Sequence, residues 1–154
     1  MKTKVISTRL LVSILMALGV LALSGARSQA QTLYLQAQLL WGTNDKTSPD
    51  PKHTPIDPDI EKKLKGLPLK WTHYFVVSRT NFQVAQLGTS KVAMSEKCAL
   101  EVKNLGRSKV EVSHFGRGER VWTGTQVLPK GEALVMGGNA PSSTSWLLVL
   151  KRVE

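Results

Sequence analysis

One cysteine and three histidines are the side chains in this sequence best suited to nucleophilic, acid–base or metal chemistry. A cysteine nucleophile needs a depressed pKa, access to solvent and a base nearby. Cys98 instead alternates with Leu100 and Val102, which is how the inward face of a strand reads, and free cysteine is among the most buried residue types. It is therefore expected as a buried core thiol. His53, His73 and His114 form no His-x-x-x-His or Cys-x-x-Cys pair, the spacings that bring two ligands to one side of an element. No metal site, and no other cofactor, is read from them.

Other chemistries fail on similar grounds. Asp45, Asp50, Asp57, Asp59 and Glu61 gather in one region, but without the alternating ligands and mid-loop glycine of a calcium loop. Helix capping and dipole compensation account for the last three. A serine hydrolase would show Gly-x-Ser-x-Gly on a strand-to-helix turn; the sequence has none, and Ser142 to Ser145 reads as a polar loop after Pro141. Gly116-Arg117-Gly118 and Gly137-Gly138 precede no helix whose N-terminus would hold a phosphate, so they are turn or bulge glycines. No catalytic residue is assigned, and the expectation is a chain that is not an enzyme.

One binding constellation remains. Lys103, Arg107 and Lys109 flank one turn, and Arg117, Arg120 and Trp122 surround the next. If neighbouring hairpins bring these ends together, Arg107, Arg117, Arg120 and Trp122 make a cationic rim with an aromatic surface, suited to a polyanion. Glu111 and Glu119 lie between them, the pattern of an ordinary solvated face.

These residues need elements to position them. The first thirty residues carry Lys2, Lys4 and Arg9 and no acid, then an apolar run from Leu10 to Leu23, then Ser28-Gln29-Ala30. A basic segment, a short apolar core and small residues describe a secretory signal peptide with cleavage between Ala30 and Gln31. The run is shorter than the roughly 20 residues a spanning helix needs, and nothing later is long and apolar enough to be a transmembrane helix. Residues 31–154 then form one exported domain in a periplasm, at a cell surface or outside the cell. With a single cysteine it has no internal disulfide, so its stability rests on packing. The formal charge of +10 falls by four when Lys2, Lys4, Arg9 and Arg27 leave, a moderate bias that does not by itself name a nucleic-acid partner.

In that domain Leu33, Leu35, Ala37, Leu39 and Trp41 alternate with polar residues, as in a half-buried strand. Residues 42–57, with Pro49, Pro51 and Pro55, read as an exposed proline-rich loop. A short helix over 58–65 follows, with Asp57 as N-cap, Pro58 at its first position and Gly66 as a left-handed C-cap. Ile60, Leu64 and Leu67 form its apolar stripe. From Lys70 onward the chain reads as strands: Trp71 to Val77, weaker ones around Phe82–Val84 and Val92–Met94, a hairpin from Cys98 through Asn104-Leu105-Gly106 to Ser113, then Val121–Leu128, Ala133–Met136 and Trp146–Leu150. The last is apolar on both faces and should be covered on both sides. The fold class is all-β, a mainly antiparallel sandwich or partly open barrel with one short helix.

Leu64 to Leu67, Lys70-Trp71-x-x-Tyr74-Phe75, Leu128-Pro129-Lys130-Gly131-Glu132-x-Leu134-Val135-x-Gly137-Gly138 and Leu147 to Leu150, in that order, resemble small exported bacterial β-rich proteins of no known activity. The resemblance implies the β architecture and transfers no site residue. The expected function is a non-enzymatic envelope or cell-surface interaction or scaffold module with an envelope protein as partner. The alternatives are a polyanion-binding domain, or a hydrolase whose residues meet only in space, for which His73, His114 and a carboxylate would share one pocket.

Overall fold

The structure, a computed structural model, describes residues 30–137 and 145–154. The signal-peptide reading of the first thirty residues, Ala30 apart, and the polar loop expected over Ser142 to Ser145, Ser145 apart, lie outside them. Ala30 and Gln31 are both exposed.

Among the described residues the chain forms β1 (Leu33–Thr43), β2 (Thr54–Pro55), α1 (Pro58–Lys65), β3 (His73–Val84), β4 (Thr89–Ser95), β5 (Cys98–Gly106), β6 (Lys109–Gly116), β7 (Glu119–Val127), β8 (Ala133–Gly137) and β9 (Ser145–Arg152). The strands make two sheets, β2-β3-β1-β9-β8 and β4-β5-β6-β7, with every pairing antiparallel. The fold is thus an all-β sandwich with one short helix. Because β7 and β8 share no ladder, it does not close into a barrel.

Alternation along β1 decides the layers. Leu33, Leu35, Ala37 and Leu39 point between the sheets and meet Leu100, Val102, Val110, Val112, Leu128, Leu148 and Leu150 in the main core. Leu40 points the other way, into a second core with Ile60 and Leu64 of α1 and Val76, Leu147 and Val149. The five-stranded sheet is therefore covered on both faces. That is why β9, paired with β1 from Leu35↔Arg152 to Gly42↔Ser145, is apolar on both sides.

Several local expectations change. Thr54 and Pro55, inside the proline-rich loop, form a two-residue edge strand against Val76 and Phe75. Proline is tolerated there because its missing N–H faces away from the ladder. The two short segments expected between Trp71 and Val84 are one twelve-residue strand, β3. Its register slips opposite Leu39/Leu40, and this bulge exchanges the faces midway, breaking the period that the sequence shows. Asp57 takes the extended N-cap conformation but makes no capping hydrogen bond. Its carboxylate instead accepts from Arg79 Nη2 at 2.8 Å and Gln38 Nε2 at 2.9 Å. Gly66 is right-handed, at φ −83°, and Leu67, just past the helix end, is 37 % exposed instead of joining the stripe. Ion pairs Lys63–Glu132 and Lys151–Asp59 fasten α1 to the sheet beside it. The hydrogen bond from Lys151 holds the Asp59 carboxyl below its ordinary range.

The two sheets are pinned together at one end. Asn104, fully buried, donates from Nδ2 to the carbonyls of Gln31 (2.8 Å) and Val84 (3.2 Å) and accepts from the Gly106 N–H (2.9 Å). Arg152, also buried, donates to Ser108 Oγ at 2.7 Å, to the Leu128 carbonyl at 3.3 Å and to the main-chain oxygen of Glu154 at 2.7 Å. Removing one partner from such a buried set leaves the others desolvated and unpaired, at about 1–3 kcal/mol. Asn104→Ala should therefore lower unfolding stability by about 2–3 kcal/mol in urea titrations, whereas exposed Lys103→Ala should stay within about 0.5 kcal/mol of wild type.

Candidate functional site

The inner face of the four-stranded sheet narrows in side-chain volume toward the end opposite the pins. Along β5 it presents Val102, Leu100 and then Cys98; along β6, Val110, Val112, His114 and then Gly116. Large apolar residues thus give way to a thiol, an imidazole and a glycine. The facing sheet keeps its bulk there, with Leu39, Val77, Met136, Trp146 and Leu148. The mismatch leaves a cavity of about 650 Å³ between the sheets.

Its mouth is formed by two hairpin ends. The β6–β7 turn is Arg117-Gly118, with φ of 51° and 85°, so both central residues are left-handed as a two-residue type I′ hairpin requires. The Arg117 N–H donates to the Lys97 carbonyl at 2.8 Å, which locks this turn against the β4–β5 turn. Glu96, Lys97 and Arg117 line the rim. Across from them Trp146, half exposed, stacks edge-on against Trp41 with ring centroids 4.7 Å apart.

Cys98 is the clearest departure from the sequence reading. It is only partly buried, and it lines the cavity with Sγ 3.6 Å from Nε2 of His114. The alternation with Leu100 and Val102 is real, but Cys98 is the last inward position of its strand, where the core has already opened. Burial raises the thiol pKa above its ordinary 9.0 and lowers that of His114 below 6.5. Both shifts have one cause, the cost of charge in a poorly hydrated site. At neutral pH the two groups therefore face each other as thiol and imidazole, not as the thiolate–imidazolium pair of a cysteine nucleophile.

The structure places the other sequence candidates as follows. His73 lies at the start of β3, its Nδ1 2.9 Å from Thr72 Oγ1, and does not line the cavity. His53 sits in the proline-rich segment against Ser48 Oγ at 2.6 Å. Arg107 occupies the β5–β6 turn, a left-handed pair with Ser108 (φ 51° and 62°). Eight-residue β6 separates that turn from Arg117, about 25 Å at strand spacing, because consecutive turns of a meander fall at opposite ends. Arg120 pairs with Phe115 on the outer face of the sheet, and Trp122 pairs with His114 on the inner face. The structure thus brings Arg117, Arg120 and Trp122 to one end but on different faces, and leaves Arg107 at the other. On the outer face Lys91 Nζ stands 3.9 Å, and Arg120 Cζ 5.6 Å, from the Phe115 ring centroid. The Trp122 indole lies across Gly124, where a Cβ would collide with the ring.

Among the described residues no three His, Cys, Asp or Glu side chains gather around a common point, and no helix is long and apolar enough to cross a membrane. No protein-family model, curated protein or solved structure matches this chain.

The His114 shift fixes the sign of a pH effect. Its folded-state pKa is below 6.5, so as pH falls through 6.5 the unfolded chain gains a proton at this imidazole before the folded one does. Stability contributed by the neutral ring is complete above pH 6.5 and drains away between that value and the folded pKa. Urea midpoints measured downward from pH 7 should fall in that window, and His114→Gln should flatten the decline. An undiminished slope in the variant would remove His114 as its source.

Proposed function

We propose that this chain is a non-catalytic, exported binding module that takes a small ligand with an apolar body into the cavity at the open end of the sandwich. The observation that carries this reading is the cavity itself. At about 650 Å³ it falls within the roughly 300–1,000 Å³ of small-molecule sites. Its apolar walls are Leu39, Val77, Met136, Trp146 and Leu148, and its polar side chains are Ser95, Cys98, His114 and those of the rim. Lys97 and Arg117 against Glu96 give that rim a net positive character, so an anionic head on an apolar tail fits the gradient of polarity. Export supports the reading through the leader-like first thirty residues, and N-terminal sequencing of the secreted protein, beginning at Gln31, checks it.

Magnitudes set what to look for. Each methylene taken from water contributes about 0.8 kcal/mol, and association costs about 4 kcal/mol or more, so a ten- to twelve-carbon chain should bind with a Kd of about 0.1–1 mM. Calorimetric titration with dodecanoate should show one saturable site. Val77→Phe, which narrows the cavity, should weaken binding about tenfold, and Arg117→Glu should weaken dodecanoate more than dodecanol. Absence of saturable binding by either compound would end this reading.

A second reading attaches to the outer face, where Lys91 and Arg120 flank one aromatic ring. A polyanion held there should bind with an affinity that falls linearly on a log–log salt plot, and Arg120→Ala should shallow the slope by about 1. Binding of heparin or single-stranded DNA that ignores salt would exclude it.

A further inference from the structure

We infer that the wall of this cavity holds a site for a soft monovalent metal ion, Cu(I), built from Cys98 Sγ, His114 Nε2 and the thioether of Met136. The inference rests on the cavity reading and names a ligand for its inner wall.

The first observation is a distance. An ion about 2.3 Å from a sulfur and about 2.0 Å from an imidazole nitrogen, at a near-tetrahedral angle, places those two atoms about 3.5 Å apart. In the structure Sγ of Cys98 and Nε2 of His114 are 3.6 Å apart. The separation suits two ligands of one ion with little rearrangement, and it is too short for a linear arrangement, in which the same bonds would span about 4.3 Å. A bent pair needs a third donor.

The donor we assign is the thioether of Met136. Met136, almost wholly buried, lines the same cavity from the opposite sheet. Thiolate, thioether and imidazole are the donors that select a soft ion, whereas hard cations prefer oxygen. Glu96, the carboxylate that lines the cavity, is exposed at its rim.

Binding the ion is an exchange at the sulfur, because the ligating form of a cysteine is its thiolate. The step balances simply: the Cys98 S–H bond breaks, the sulfur lone pair binds Cu(I), one proton passes to solvent, and the imidazole and thioether each donate a lone pair. The oxidation state does not change.

The test is an anaerobic titration of the purified chain with Cu(I), supplied as its acetonitrile complex, against a chromophoric Cu(I) chelator. One equivalent should be retained, with release of one proton at neutral pH. Loss of an outer partner of a metal ligand costs roughly 10–100-fold in affinity, so Cys98→Ser, which removes a ligand, should cost at least ~100-fold. His114→Gln and Met136→Leu should each cost at least ~10-fold, and Cys98→Ser should keep the wild-type far-UV circular dichroism and cooperative urea unfolding, showing an intact fold. Retention of Cu(I) undiminished by Cys98→Ser, tighter retention of Zn²⁺ than of Cu(I), or no retention while dodecanoate binds would each overturn the metal site and leave the cavity reading standing. Failure of dodecanoate alone would remove the apolar ligand, while Cu(I) retention would still report on the pair.

Discussion

The sandwich depends on how its two sheets are pinned at the end away from the cavity. Asn104 and Arg152, both buried, tie main-chain and hydroxyl groups of the two sheets together. Neither could be left unpaired at that depth, because a desolvated amide or guanidinium without partners costs several kcal/mol. Their bonds therefore fix how the sheets approach one another, and the leucines and valines stacked beside them fill the space. A second tie, from Ser78 Oγ to the Met94 carbonyl at 2.6 Å, holds the β3–β4 edge. Among the described residues no ladder joins β7 to β8, and the gap opens toward the end where the inward residues are Cys98, His114 and Gly116.

That an opening persists there, instead of collapsing as apolar voids tend to, follows from the rigidity of its walls. On one side the Trp41–Trp146 pair faces edge to ring, a geometry that spaces two large rings apart and resists sliding. On the other, the type I′ turn at Arg117-Gly118 is held by its left-handed backbone and by the bond from Arg117 to Lys97. The helix contributes at a distance: by covering the far face of the five-stranded sheet it buries Leu40 of β1 and Leu147 and Val149 of β9, so both strands sit at the centre and keep the Trp41–Trp146 wall in place.

How much of this was legible in the sequence follows from which physical signals are local. Period-two alternation is local, so β1, the β5–β6 hairpin and the two-faced β9 could be read from their residues, and with them the fold class. The bulge opposite Leu39/Leu40 was not legible, because it reverses the period within one strand and so reads as two short ones. Asp57 has the sequence of a cap, yet tertiary partners Arg79 and Gln38 claim its carboxylate. The β5–β6 turn was placed at Asn104-Leu105-Gly106, where Asn104 promised a turn residue. Its side chain is instead a buried pin, and the reversal falls to Arg107-Ser108 in a conformation that non-glycine residues seldom adopt.

The cavity was hidden for a different reason. A run such as Cys-x-Leu-x-Val says that three residues share a face, but not that the first lies where the facing sheet has drawn back. Depth along a strand depends on the other sheet's register, which no local pattern encodes. The usable signal was comparative: reading both strands toward the same end, Val102, Leu100, Cys98 and Val110, Val112, His114, Gly116 lose apolar volume together. Two neighbouring strands that thin in the same direction specify a void if the partner sheet does not thin to match, and here Leu39, Leu148 and Trp146 do not. The same taper leaves Cys98 and His114 as the polar groups at the edge of an apolar wall, close enough to touch and both uncharged. Position on the strand, more than residue type, makes this pair accessible, and it would be inert packing two residues deeper.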